Sequence, residues 1–181
     1  MAKKTNAILS WILIGCLLGH LATMSYSLLT GWYNYFICKT LAHLTCGAFS
    51  LHVILSLCIV FFMHDGTSMA CYQRKNIKTI LQRVSGIIMI CLVHLHVEEY
   101  SFIVAGTPLS SLSKMRIIGV ELLFWGFLFI HIAISLSKSF ISLGLIRTEK
   151  AERLIDGVAK IVCIILMIII CFAMMRFVVM W

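Results

Sequence analysis

Imidazole binds metals as a neutral base and exchanges protons near neutral pH, so a histidine in an unusual place is the first residue type to question. Four of the seven histidines of this chain, His20, His52, His96 and His131, lie deep inside four separate apolar stretches. An ionisable side chain is costly there and marks a functional position by default. Buried imidazoles can ligate a haem iron or another transition metal, relay protons, or hydrogen-bond to a neighbouring helix. A metal path or a proton relay would more usually add carboxylates, and Glu121 is the carboxylate that falls well inside the apolar stretches. His43 and His64 fall at segment ends and read as interfacial.

The elements that must position these histidines follow from composition. The chain has 181 residues, 61% of them hydrophobic and only 12% charged, one proline, and a mean hydropathy of +1.03. A soluble domain of that length needs far more polar surface, so the class is an all-α, polytopic membrane protein occupying residues 1–181 as a single transmembrane domain. The apolar segments are about Ala7–Thr30, Leu41–Met63, Ile80–His96, Ile117–Ser137 and Val158–Met175, each long enough to cross the hydrocarbon core or nearly so. That predicts a bundle of five transmembrane helices. Lys3 and Lys4 ahead of an apolar run resemble a signal peptide, but the run continues to Leu29 and reads as an uncleaved first helix.

The net charge of +8 does not point to nucleic acid, because the basic residues sit between apolar runs instead of on one polar surface. Lys3, Lys4, Arg74, Lys75, Lys78, Arg147, Lys150, Arg153 and Lys160 flank one side, against Lys39, Lys114 and Arg116 on the other. By the bias of lysine and arginine toward the cytoplasm, the N-terminus is inside and the C-terminus outside. Trp32, Tyr33, Tyr35 and Phe36 then fall at the outer interface, where amphipathic rings are favoured. The eight cysteines show no CxxC spacing and read as small packing residues; only Cys38 and Cys46, both near the outer end of the second segment, are placed to pair.

Depth separates the histidines. With a rise of about 1.5 Å per residue, His20 lies roughly 20 Å and His96 roughly 24 Å from the inner boundary. His52 and His131, on helices running the other way, come out at roughly 14 Å and 9 Å. Two histidines from different helices at one level, repeated at a second level, are what bis-imidazole ligation of two b-type haems requires. Gly15, Gly19, Gly47 and Gly126 lie near these histidines, where they allow either a flat macrocycle or a neighbouring helix to approach. His94 lies at nearly the depth of His96, about 200° away around the helix, and depth does not choose between the two.

The third segment carries a resemblance. Leu81-Gln82-Arg83-Val84-Ser85-Gly86-Ile87-Ile88, then His96-Val97 and Glu99, is similar to the third helix of the single-chain, di-haem cytochrome b anchors of succinate:quinone oxidoreductases. His20-Leu21, Leu51-His52-Val53 and His131 fall where that family has its other ligands, and Ser137 through Ile146 with Arg147 and Arg153 resembles its last connection. The sequence departs from the family at its start, where Lys3-Lys4-Thr5-Asn6 replaces an arginine and a histidine-serine pair, and at Glu98, where an aromatic is common.

The resemblance implies that His20 pairs with His96 on an outer haem and His52 with His131 on an inner one, which favours His96 over His94. It implies a cofactor-binding role for Gln82, Arg83 and Ser85, with Arg83 placed to meet a haem propionate, although a snorkelling arginine reads the same way. The expected function is electron transfer between a cytoplasmic flavoprotein and iron–sulfur module and a membrane quinone, with menaquinone expected, in the bacterial cytoplasmic (inner) membrane. No dinucleotide fingerprint or cluster-binding cysteine motif is present, so FAD and iron–sulfur clusters are assigned to partner subunits. Arg74, Lys75, Lys78, Arg147 and Lys150 would form the docking face for those partners, or serve topology alone. Glu98 and Glu99 would lie near an outer quinone, or at a solvated helix end. The competing readings are a cytochrome b subunit of another quinone-linked enzyme, such as a nitrate reductase or formate dehydrogenase, and a haem- or metal-handling transporter.

Overall fold

The computed structural model describes residues 2–62, 73–104 and 109–180, with backbone alone for 73–76, 101–104 and 178–180. Five helices fill these ranges: α1 (Ala2–Thr30), α2 (Tyr35–Phe62), α3 (Gln73–Val104), α4 (Ser111–Leu143) and α5 (Glu149–Met180). All five are long and apolar enough to cross a membrane, as expected, and the chain is a multi-pass membrane protein. Each helix runs past the apolar segment that announced it, because backbone hydrogen bonding continues into the polar flanks. Capping sets the ends instead. The side chain of Asn34 accepts from Ile37 N at 3.1 Å, Ser110 from Ser113 N at 3.1 Å and Thr148 from Ala151 N at 3.3 Å. At the other ends Gly31 and Gly144 have φ of 75° and 78° and return hydrogen bonds to Ser27 and Ile141.

The chain forms two compact units, residues 1–68 with 137–153, and residues 69–136 with 154–181. In the first unit α1 and α2 form an antiparallel hairpin. Its register is fixed by Ser56 donating to Asn6 Oδ1 at 3.4 Å, Ser10 meeting His52 at 3.4 Å and Ser27 meeting Cys38 at 3.9 Å. Trp11 packs edge-on against Phe140 at 4.9 Å between ring centroids.

In the second unit α3 and α4 are antiparallel along a seam with coiled-coil spacing. Ser85, Met89, Leu92 and Glu99 are the buried positions of α3, and His96 occupies the missing step of that repeat. On α4 the matching stripe is Ile117, Glu121 and Phe124, with His131 seven residues on. Three side-chain contacts fix the register: Ser85 with His131, His96 with Glu121, and Arg116 with Glu99. On α5, Asp156, Ala159, Cys163, Ile170, Ala173 and Phe177 recur at helical spacing as its buried face, while Ile161, Ile164, Ile165, Ile168 and Phe172 are exposed. Exposed isoleucines on a helix apolar on all sides face lipid comfortably, and no aqueous surface is required of them.

Candidate functional site

The seam histidines are built by their neighbours. His131 Nδ1 lies 3.0 Å from Ser85 Oγ. The Ser85 hydroxyl proton is directed elsewhere, since Oγ donates to the Gln82 carbonyl at 3.1 Å, which leaves the oxygen as an acceptor. His131 therefore donates from Nδ1, and its Nε2 keeps the lone pair. The next residue makes room for the ring: a Cβ on Gly86 would sit 3.4 Å from His131 Cε1. Adjacent residues of α3 thus serve one histidine of α4, one by holding it and one by being small.

The same arrangement recurs in the first unit. Ser10 Oγ donates to the Asn6 carbonyl at 2.8 Å and lies 3.4 Å from His52 Nδ1, so its oxygen is again the acceptor. At His96 the acceptor is a carboxylate. Nδ1 lies 2.7 Å from Glu121 Oε1, and Trp125 Nε1 donates to the other oxygen at 3.1 Å. Glu121 is buried, and the imidazole stacks on Phe124 with ring centroids 4.6 Å apart and planes 12° from parallel. In all three cases Nδ1 has a polar partner that can accept its N–H, an arrangement that favours the Nδ1–H tautomer of a neutral ring. His20 is half-buried with its Nδ1 enclosed, and its carbonyl accepts from Thr23 Oγ1 at 2.9 Å.

Levels within each unit can be compared. In the second unit His131 is level with Ser85, eleven residues before His96, so the two histidines lie roughly 16 Å apart along the helices. That agrees with the depth expectation. In the first unit His52 is level with Ser10, ten residues before His20, a separation of roughly 15 Å. The depth expectation there was only about 6 Å. It took its origin from where each apolar run begins, whereas the register of α2 on α1 is set by the contacts at Asn6, Ser10 and Ser27. The corrected spacing makes the two units alike.

The structure also resolves directions that sequence left open. His96 faces the seam, whereas His94 and His43 are exposed; His64 lies outside the described residues. Glu121, whose orientation was undetermined, is the partner of His96. Glu99 is buried with Arg116 Nε at 2.7 Å, while Glu98 is exposed and 3.7 Å from the same guanidinium. Arg83 is exposed and Gln82 half-buried.

Lys78 does not join an exposed basic face as expected, because it forms an ion pair with buried Asp156. Sequence missed that pair by starting the fifth span two residues after Asp156. Arg147 and Lys150 are exposed, and the Arg74 and Lys75 side chains lie outside those described. Cys38 is buried beside Ser27 and Cys46 is exposed, and both are free thiols, so they do not form the disulfide that their spacing permitted.

Ser10, Phe124 and Trp125 were not singled out in the sequence. The available signal was a hydroxyl inside an apolar run and an aromatic pair three and four residues after Glu121, on its own helix face. Among the described residues no three His, Cys, Asp or Glu side chains gather as a metal cluster. The fold and site therefore define a class: a multi-pass helical membrane protein with half-buried imidazoles in its helices, three of them held at Nδ1 by a polar side chain. The chain matches no protein-family model, no curated protein and no solved structure.

Proposed function

We propose that this chain is the di-haem cytochrome b anchor of a succinate:quinone oxidoreductase, in which His20 and His96 would hold an outer haem and His52 and His131 an inner one. One observation supports this above the others: at three of the four histidines Nδ1 has a side-chain hydrogen-bond partner, the arrangement that orients metal-binding imidazoles. The residues present fit a haem in further respects. Gly86 lets the His131 ring pack close against α3, and the aromatic rings of Phe124 and Trp125 lie beside His96. When bound, the haems would supply one-electron carriage between the cytoplasmic and outer levels of the membrane.

The chain's own residues do the rest. Ser10, Ser85 and Glu121 orient the ligands, which avoids the reorganisation that a freely turning imidazole would add to each electron transfer. Phe124, Trp125 and Phe129 are buried in succession along α4 and exclude water from the His96 level. A flavoprotein and an iron–sulfur subunit would dock on the cytoplasmic side, where Arg147 and Lys150 are exposed, and a membrane quinone, menaquinone by the same reading, would exchange electrons with the chain. The localisation that follows is the bacterial cytoplasmic membrane, N-terminus inside.

The test is haem extraction and a reduced-minus-oxidised spectrum on the chain purified from membranes, together with its co-purifying proteins. Two b-type haems and a flavoprotein partner are expected. A well-folded chain without haem would overturn the proposal.

A further inference from the structure

The acceptors that hold the seam histidines differ in charge, and holding a histidine does not require the difference. Ser85 is neutral and donates its hydroxyl hydrogen bond to the Gln82 carbonyl. Glu121 is a carboxylate placed inside a membrane helix, where an ionisable group is costly and a serine would have fixed the tautomer equally well. Its two oxygens are both engaged, one by His96 and one by the Trp125 indole, so it is held in one orientation.

We propose that Glu121 is a positioning residue that acts through His96 to set the redox potential of the haem that His96 would hold. This rests on the haem assignment above. The physical step is short. A carboxylate accepting Nδ1–H at 2.7 Å draws the proton toward itself and gives the ring imidazolate character, which raises the basicity of Nε2. A more basic ligand stabilises ferric over ferrous iron. Burial strengthens the effect, because the hydrogen bond operates at low local dielectric. Trp125 moderates it: an N–H donated to Oε2 withdraws charge from the carboxylate and weakens its pull on His96.

Two substitutions on one carboxylate therefore move the potential in opposite directions. Glu121→Gln keeps the shape and an acceptor oxygen but removes the charge, and shifts the ferric/ferrous equilibrium of that haem toward ferrous by tenfold or more, about 59 mV for one electron. Trp125→Phe keeps the ring against Phe124 and Phe129 and removes only the N–H, and shifts the same equilibrium toward ferric by a smaller factor. Glu121→Asp retains the charge on a shorter arm and restores part of the wild-type value.

The experiment is a spectroelectrochemical titration of the full chain purified from membranes, wild type and three variants, each haem followed by its own α-band and low-spin ferric resonance. Opposite shifts confined to one haem, with the other unmoved, support the proposal. Two bound haems with unchanged potentials in Glu121→Gln, or shifts of one sign in both variants, overturn it and leave the haem assignment standing. Absence of haem in the folded wild-type chain overturns the haem assignment, and this inference with it.

Discussion

The two ends of the α3–α4 seam hold a histidine in the same way and yet are chemically unlike. At the Ser85 end a hydroxyl accepts from His131, a glycine makes room, and no charge enters the site. At the Glu121 end a buried carboxylate accepts from His96, an aromatic face lies flat against the ring, and an ion pair between Glu99 and Arg116 follows one turn further on. Tautomer control asks only for an acceptor, and a small neutral one meets that need at the lower desolvation cost. Where a membrane helix retains a charge instead, the charge has work beyond orientation. Under the proposed haem assignment, the difference separates what would hold a ligand from what would tune it.

The strongest way to break this comparison is to delete a ligand. His96→Ala and His131→Ala are each expected to remove one haem completely and spare the other, read from haem-to-protein ratio and α-band shape. Loss of both haems from either variant would mean that the two levels are one site. Next in size is the space beside His131. Gly86→Ala places a methyl at ordinary contact distance and retains both haems, whereas Gly86→Val pushes the ring aside and loses the haem of His131 alone. Equal haem content in the two variants would show that the close approach has no function.

Smaller effects sharpen the contrast. Ser85→Ala removes a neutral acceptor at a cost of about 1 kcal/mol, and is expected to loosen the His131 haem while moving its potential less than Glu121→Gln moves the other. A shift in Ser85→Ala as large as that in Glu121→Gln would remove the distinction between a charged and a neutral partner. Ser10→Ala is expected to do least. Its contact to His52 is 3.4 Å, and the change in thermal unfolding of the chain should stay below about 1 kcal/mol.

The number of membrane helices and the histidines worth following are legible in the sequence, because in a membrane both appear as composition: long apolar runs, and rare ionisable residues within them. What could not be read is direction and register. Nothing about the spacing of His94 and His96 says which faces a neighbour, and only the heptad stripe of Ser85, Met89, Leu92 and Glu99, once seen as buried, places His96 on the seam. Glu121 is conspicuous in sequence, but its partner lies on another helix. The level of His52 was misjudged because hydropathy marks where a segment becomes apolar, while small contacts such as Asn6 with Ser56 decide how two helices slide. Asp156 falls outside the fifth apolar segment for a related reason: an ion pair lets a helix remain buried before its apolar run begins.

The turn between α1 and α2 spans only residues 31–34, with Gly31 in the left-handed region and Asn34 starting the next helix. Every contact that sets their register lies within the first 62 residues, so this hairpin can close as soon as its second helix emerges, without waiting for distant segments. Timing then becomes a property of the architecture. The spacing of His20 and His52 is thus set within α1 and α2 themselves.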